Sequence, residues 1–375
     1  MRHLLSHKVL VACGLFGVAF LIIGTLICYK FIPDMVDNKL WETKVLQNDT
    51  PQMKVFEKTP FPFTFKVYMF NIENPEQILK GEKPLVKEVG PYVYKLYRRN
   101  EDISWNSTTK DISYKPYETY IFDKEASAPR SDEELVTIIN TPLNTFLMTV
   151  EDMSPDSLAT VDSAIPGVFG EHSGIFIKVK VKDYLFEGIK MCEGGGKKGG
   201  FAVKMICSQM VSKAETAEAM RVLEDSVSFA NLRHKNTTSR GLMTIKSGVD
   251  AKEDAGELIM FNNKKYMDVW KVPKSVCNLV HGKTNIFPNN IKTSLSFDTF
   301  SPDVCRTVTM KYKRDETVKG LNGYRFVTLN STFWNLKNTS NNCYCANTSR
   351  TLDGNVACLN DGLMDLTSCS GSKKF

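Results

Sequence analysis

One uncharged apolar run constrains this chain more than any other feature of its sequence. Residues 9–29 contain no Asp, Glu, Lys or Arg, and no run of similar length and hydrophobicity recurs before Phe375. At about 1.5 Å per residue, a helix over these residues would be roughly 31 Å long, which matches the apolar core of a bilayer. The sequence therefore predicts one transmembrane helix at residues 9–29.

The charges beside this run indicate its orientation. Arg2 and Lys8 precede it, whereas the residues after it carry both signs. Because positive charge tends to remain on the cytoplasmic side, residues 1–8 are predicted to be cytoplasmic and residues 30–375 to be lumenal or extracellular. A cleaved signal peptide is the alternative, but the apolar part of a signal peptide is usually about 7–15 residues long, and no A-x-A-like cleavage site follows here.

Glycosylation sequons favour the same location for the bulk of the chain. All six lie after the predicted anchor, whereas roughly two or three would be expected by chance. Since N-glycans occur on surface sites of secreted and membrane proteins, the excess agrees with the flanking charges. The predicted glycosylation sites are Asn48, Asn106, Asn236, Asn330, Asn338 and Asn347.

Cysteines also indicate an oxidising compartment. Two of the ten lie inside the predicted anchor, and the rest are Cys192, Cys207, Cys277, Cys305, Cys343, Cys345, Cys358 and Cys369. An even number after a membrane anchor predicts disulfide bonds, although spacing alone leaves their connectivity open. A metal site is not predicted, because the chain has no C-x-x-C pair and His281 is the only histidine after residue 240.

Hydrophobic periodicity predicts a mixture of strands and helices. Strands are predicted at residues 61–70, 91–99, 113–122, 175–186 and 324–329. Helical spacing is found at residues 143–152, 156–168 and 210–225. The strands and helices do not alternate as βαβ units, so the predicted fold class is α+β.

The sequence contains no pattern that supports an enzyme or a nucleic-acid-binding protein. Gly194-x-Gly196-x-x-Gly199 matches a dinucleotide fingerprint by letter, but it follows no strand–helix unit and is interpreted as a flexible loop between two cysteines. The chain has no G-x-S-x-G, H-E-x-x-H or Walker A motif, and no Asp-x-Asp of the kind that metal-dependent glycosyltransferases use. Its net charge of +6 is modest and the basic residues are scattered. We predict no enzymatic activity, no cofactor and no metal.

Motifs at both ends of the chain resemble the class B scavenger receptor family. They are PFTFKVYMFN at residues 62–71, EVGPY at 88–92, FDTFSPDVCR at 297–306, KGLNGYRFV at 319–327, CYC at 343–345 and GLMDLTSC at 362–369. The resemblance extends from about residue 8 to about residue 370. The insect sensory neuron membrane proteins are the branch that the chain resembles, because they have an additional cysteine pair where Cys192 and Cys207 lie. An insect gut or epithelial scavenger receptor is the alternative.

This resemblance implies a fold and a set of disulfide bonds. The family has an antiparallel β-barrel ectodomain, capped at its membrane-distal end by a small helical bundle, with a hydrophobic tunnel through the barrel. It also has a second membrane span, which does not follow Cys369 here, so we expect a C-terminally truncated chain with one N-terminal transmembrane helix. The implied pairs are Cys277–Cys343, Cys305–Cys369, Cys345–Cys358 and, specific to the branch, Cys192–Cys207.

The resemblance places the apical helical bundle at residues 143–168. No Lys or Arg occurs from residue 143 to residue 177, which argues against capture of polyanionic particles and favours an uncharged or weakly polar lipid. The candidate ligand contacts at this apex are Phe146, Leu147, Val150, Ile165 and Phe169. Ordinary core packing is the alternative role for these five residues.

The implied function is that of a plasma-membrane receptor or co-receptor for lipids or pheromones in olfactory, chemosensory cells. It would pass hydrophobic ligands through the tunnel toward the membrane. Expected partners are fatty-acid or pheromone-like lipids, the membrane, and an odorant receptor or a lipid-carrier protein. A general scavenger or adhesion receptor of the same family, or a non-functional truncated isoform, is the alternative.

Glycan removal tests the predicted orientation. When the full chain is produced in insect cells, digestion with a peptide N-glycosidase should lower its apparent mass on a denaturing gel, because the sequons lie in the predicted extracellular part. A variant with all six sequon asparagines changed to Gln is the control and should not shift. An undigested mass equal to that of this variant would contradict the orientation.

Overall fold

The computed structural model describes residues 7–196, 199–215, 217–289, 291–334, 339–345, 349–350, 356–364, 366 and 368–369 of the chain. Helices and antiparallel strands are mixed within it, as the α+β prediction requires. The α-helices are α1 His7–Leu26, α2 Ile32–Glu42, α3 Pro51–Glu57, α4 Pro75–Ile78, α5 Lys124–Ser127, α6 Thr141–Met153, α7 Leu158–Phe169 and α8 Phe201–Ala214.

In the described part of the chain, most strands belong to three of five sheets. In chain order the strands are β1 Phe63–Ile72, β2 Val86–Trp105, β3 Asp111–Phe122, β4 Leu135–Ile139, β5 Phe176–Lys180, β6 Ile189–Met191, β7 Met220–Val222, β8 Val227–Phe229, β9 Met243–Lys246, β10 Glu257–Phe261, β11 Gly282–Lys283, β12 Ser296–Ser301, β13 Arg306–Val318, β14 Leu321–Thr328, β15 Ser349–Arg350 and β16 Val356–Ala357. The largest sheet has the order β1-β2-β3-β9-β10-β11, and β12-β13-β14 and β6-β8-β7 form three-stranded sheets.

The N-terminal helix continues well past the predicted membrane span. A π-helical turn, Ile27–Phe31, joins α1 to α2 without a break, so residues 7–42 form one helical segment roughly 54 Å long. Within the described part of the chain this is the one helix long and apolar enough to cross a membrane. The exposed apolar side chains of α1 have no protein to pack against, which is the state expected of a lipid-facing helix.

The six-stranded sheet is antiparallel throughout and curls into a half-barrel. Its pairing register shifts between Val67 and Met69, between Glu101 and Ser104, and again within β10. Such bulges increase local twist and bend a strand, which is how a sheet curls over its own core. The concave face therefore encloses a space that other elements must fill.

Period-two alternation decides which side chains fill that space. Ile112 and Tyr114 of β3 point inward and are fully buried with Ile245 of β9 and Leu258 of β10. The segment after the anchor supplies their partners, and Phe56 of α3 packs edge-on against Tyr114 with 4.8 Å between ring centroids. This core ties the chain that follows the membrane helix to the middle of the sheet.

A second core lies among α6, α7 and α8. Its largest fully buried side chain is Phe169, and Phe146 packs against it with ring centroids 5.8 Å apart. Residues Ile206 and Met210 of α8 complete the cluster from the opposite side. The three helices thus form one packed layer, joined to the sheet β6-β8-β7 through shared buried residues.

The predicted helix at residues 210–225 was wrong in its position. The structure has α8 at Phe201–Ala214 and strand β7 at Met220–Val222. The buried side chains of α8 follow helical spacing from Val203 to Ala214, whereas the Ala- and Glu-rich residues after it have helix propensity but no apolar stripe to bury. Packing outweighed propensity, as it does in most protein helices.

Four disulfide bonds join the cysteines outside the anchor. They are Cys192–Cys207, Cys277–Cys343, Cys305–Cys369 and Cys345–Cys358, the same pairs that the resemblance implies. Around Cys305, the indole nitrogen of Trp270 donates to its carbonyl at 2.7 Å, and the guanidinium of Arg306 stacks 3.7 Å from the Tyr344 ring centroid. The Cys305–Cys369 bond holds the C-terminal segment onto the β12–β13 connection, and Cys277–Cys343 ties the same segment to the loop before β11.

Truncation of the central helical-layer side chain tests this description. We expect Phe169→Ala to lower the free energy of unfolding by about 3–5 kcal/mol, because a fully buried phenyl ring leaves a cavity. Met148→Ala, at an exposed position of α6, is the matched control and should change it by less than about 0.5 kcal/mol. Chemical denaturation of the purified full chain measures both, and equal values would contradict the packing.

Candidate ligand-binding site

A cavity of about 590 Å³ lies against the concave face of the half-barrel. Its volume is within the roughly 300–1,000 Å³ that small-molecule sites usually have. Residues from five parts of the chain line it: Gln52, Val55, Phe56, Thr59 and Phe63; Arg98, Arg99 and Asn100; Tyr114, Pro116, Tyr117 and Glu118; Arg240, Met243 and Leu258; and Thr284, Asn285, Ile286, Phe287, Thr299, Phe300, Pro302 and Asp303.

Local sequence rules place the walls of this cavity. Alternate residues of β3 share its inner face, and Tyr114, Pro116 and Glu118 of that face border the cavity, as does Tyr117 between them. Helix α3 begins where Thr50 accepts a hydrogen bond from the Met53 amide at 3.2 Å, with proline in the first turn. The helix thereby lies across the open side of the sheet.

One part of the lining is apolar. Phe56, Leu258, Ile286 and Phe300 are buried there, and the hydroxyl of Tyr114 donates to the Met243 sulfur at 3.6 Å. Burial raises the pKa of Tyr114 above its ordinary value, so its hydroxyl stays neutral. This part offers an aliphatic chain a dry surface.

The other part of the lining is charged but internally paired. Arg98 donates through Nε to Glu118 at 3.0 Å, and the hydroxyl of Tyr120 donates to the second Glu118 oxygen at 2.7 Å. Burial, and next the hydrogen bond to Glu118, raise the pKa of Tyr120. Arg240 forms an ion pair with Asp303. An apolar and a polar end in one cavity suit an amphiphilic molecule.

The cavity wall also contacts the end of the anchor helix. The ammonium of Lys44, just after α2, donates to the carbonyl of Phe287 at 2.5 Å, and Phe287 lines the cavity. The side chain of Asn289 donates to the carbonyl of Asp37 in α2 at 3.4 Å. The loop that bounds the cavity therefore lies directly on the segment that follows the long apolar helix.

The structure brings the five predicted apical residues together, but away from this cavity. Three of them are buried in the helical layer and two are half-buried against it, and none lines the cavity; they are Phe146, Ile165 and Phe169, and Leu147 and Val150. Their role as ligand contacts remains a prediction.

The predicted glycosylation sites differ in their surroundings. Asn48, Asn106 and Asn330 are exposed, whereas Asn236 is half-buried and its side-chain oxygen accepts a hydrogen bond from the Tyr120 amide at 3.1 Å. The remaining two sites, Asn338 and Asn347, lie outside the described residues.

Sequence reasoning missed the cavity residues. Most of them are ordinary strand and loop side chains, and their shared feature is position in space. The available signals were the alternation of β3 and the FDTFSPD motif, which supplies Thr299, Phe300, Pro302 and Asp303. Within the described part of the chain no cluster of three or more His, Cys, Asp or Glu side chains could hold a metal ion.

Comparison with known proteins gives one consistent result. A protein-family profile described as the CD36 family matches residues 15–374. Sensory neuron membrane protein 2 of Manduca sexta is 30% identical over 98% of this chain and 70% of its own length. The protein of the same name from Anopheles gambiae is 27% identical over 94% of this chain and 69% of its own length. Sensory neuron membrane protein 1 of Helicoverpa armigera is 29% identical over 94% of this chain and 65% of its own length.

The paired charges of the cavity provide a stability test. Glu118→Gln should lower the free energy of unfolding by about 1–2 kcal/mol, because it removes the charged acceptor shared by Arg98 and Tyr120. Glu101→Gln is the control: it removes the ion pair with Arg99, in which the carboxylate is more exposed than that of Glu118. It should lower the free energy of unfolding by no more than about 0.5 kcal/mol. Thermal unfolding of the full chain in detergent compares the two, and an equal loss would contradict the described network.

Proposed function

This chain belongs to the CD36 family, the class B scavenger receptors, and on that premise we propose that it receives hydrophobic ligands in its ectodomain and passes them toward the membrane in chemosensory cells. Membership of the family makes the chain a membrane receptor with a role in lipid binding and a large extracellular part. Transfer of pheromone-like or fatty-acid lipids, through a tunnel, is the specific activity proposed.

The cavity beside the anchor is the observation that carries this proposal. It combines an apolar part with a polar part, and its wall is bonded through Phe287 to Lys44 at the end of the anchor helix. A lipid held there would be close to the bilayer surface. Because apolar chains dissolve poorly in water, a route that keeps the ligand covered lowers the cost of transfer.

The rest of the fold supports the same proposal. We propose that the curled sheet is part of a β-barrel, that α6, α7 and α8 form its apical cap, and that residues 1–8 are cytoplasmic. On this view the five apical residues, from Phe146 to Phe169, would contact a ligand as it arrives. An odorant receptor or a lipid carrier would be the protein partner.

The charges of the apex favour a weakly polar ligand over a polyanionic particle. Glu151, Asp156 and Asp162 are exposed on α6, on the turn after it and on α7, and no Lys or Arg lies between residues 143 and 177. Like charges repel, so this surface would not attract anionic lipoproteins. A general scavenger receptor therefore has less support than a receptor for small lipids.

A cavity-blocking variant tests the proposal. Val55 of α3 lines the cavity and is partly exposed, so Val55→Trp can fill the space without disturbing the core. Binding of the fluorescent fatty acid cis-parinaric acid to the full chain in nanodiscs should weaken at least about tenfold. Lys54→Trp is the control, since the neighbouring exposed Lys54 does not line the cavity.

The two variants together distinguish the possible results. Weaker binding by Val55→Trp alone supports the cavity as the lipid site. Equal binding by both variants and the unchanged chain would mean that the lipid binds outside this cavity. The apical residues would then be tested in the same way. No binding by the unchanged chain would contradict the proposed function.

A further inference from the structure

A short segment covers the edge of β3 beside the cavity, and we name residues 232–240 the strap. Strand β9 pairs only with the first residues of β3, Asp111 to Tyr114, and the strap covers the next part of that edge, at residues 116–120. The amide of Thr237 donates to the Glu118 carbonyl at 2.7 Å, and that of Arg240 donates to the Pro116 carbonyl at 3.0 Å.

Polar contacts attach most of the strap, and Leu232 at its start packs against the hydrophobic cluster around Leu185 and Ile189. All its residues are described, and none is buried, whereas the five residues 226–230 before it are all buried. Asp303, on the β12–β13 connection, holds it through two cations: Lys235 at 2.6 Å and Arg240. A segment with few buried contacts and a few ion pairs belongs to the least stable parts of a fold.

The strap also borders the cavity through Arg240. Arg240 from the strap and Asp303, which holds it, both line the cavity, and so do Pro116 and Glu118, which accept its backbone hydrogen bonds. Loss of the strap would therefore expose the cavity from the side of the half-barrel rather than from its apex.

We propose that the strap is a gate, latched by Asp303, whose opening gives a lipid a lateral route into and out of the cavity. The proposal rests on the proposed function, because it concerns the same cavity. Asp303 acts by positioning the strap: its carboxylate holds Lys235 and Arg240 against the β12–β13 connection, and the backbone of β3 holds the rest.

His234 makes this gate sensitive to acid. Its Nδ1 atom is buried and has no hydrogen-bond partner among the described residues, and the charges of Arg240, Glu218 and Lys235 act on the ring. Burial, and next the charge of Arg240, lower the pKa of His234. Since the closed strap disfavours the protonated ring, closure is favoured above the ordinary value of about 6.5 and is weakened as the pH falls below it.

Release of the latch should open the gate. Asp303→Asn weakens two ion pairs at once, so we expect the amides of Thr237 and Arg240 to exchange hydrogen about tenfold faster and cis-parinaric acid both to associate and to dissociate about tenfold faster. Asp250→Asn is the matched control, because it removes the exposed ion pair with Lys110 outside the cavity lining.

Cross-linking should close the gate. Tyr117 and Ser239 are paired in an antiparallel bridge. Their Cα atoms should be about 4.5–5.5 Å apart, within reach of a disulfide. Compared with Tyr117→Cys alone, the oxidised Tyr117→Cys/Ser239→Cys variant should exchange the probe at least about tenfold more slowly.

Exchange rates measured at two pH values test the role of His234. A change from about pH 7.5 to about pH 5.5 should accelerate amide and probe exchange in the unchanged chain and much less in His234→Gln. The gate would be overturned if the probe binds normally and neither Asp303→Asn nor the cross-link changes its rates of association and dissociation. Faster amide exchange in Asp303→Asn, together with no probe binding by any variant, would support an opening strap and contradict the lipid function instead.

Discussion

The inward face of β3 is the constraint on which the rest of the structure depends. Alternation along this strand buries Ile112 and Tyr114 under α3, and the same alternation places Pro116 and Glu118 at the cavity. The curled sheet must cover its concave face, because exposed apolar surface of this size is unfavourable in water. The chain covers one half of that face with tightly packed side chains and leaves a cavity over the other half.

The anchor and the cavity are mechanically connected. The helical segment that is long and apolar enough to cross a membrane continues as α2, and the residues after it enter the core at Leu46 and contact the cavity loop through Lys44. These contacts hold the cavity loop against the end of that segment. This arrangement suits a receptor whose ligand moves between the aqueous phase and lipid, and it gives the family's role a physical basis in this chain.

The two halves of the cavity differ in stability as well as in polarity. The apolar half belongs to a buried core, whereas the polar half is bordered by the strap through Arg240, and the strap contains no buried residue in a stretch that the structure describes completely. Paired charges such as Arg98 with Glu118 and Arg240 with Asp303 avoid the cost of isolated buried charge, but partly exposed pairs add little net stability. Motion should therefore concentrate at the polar wall.

The sequence was sufficient to predict an apolar helix long enough to cross a membrane, the positions of β1, β3 and parts of β2, β5 and β14, and the family, because each depends on local spacing or on a motif that is read directly. Residues 9–29, the alternation in β3 and the FDTFSPD motif are examples. The tertiary structure alone decided that α8 begins at Phe201, that Phe146 and Phe169 pack together in a core, and that Arg240 reaches Asp303. Those outcomes depend on which distant side chains meet, and a linear pattern cannot specify that when packing energy exceeds local propensity.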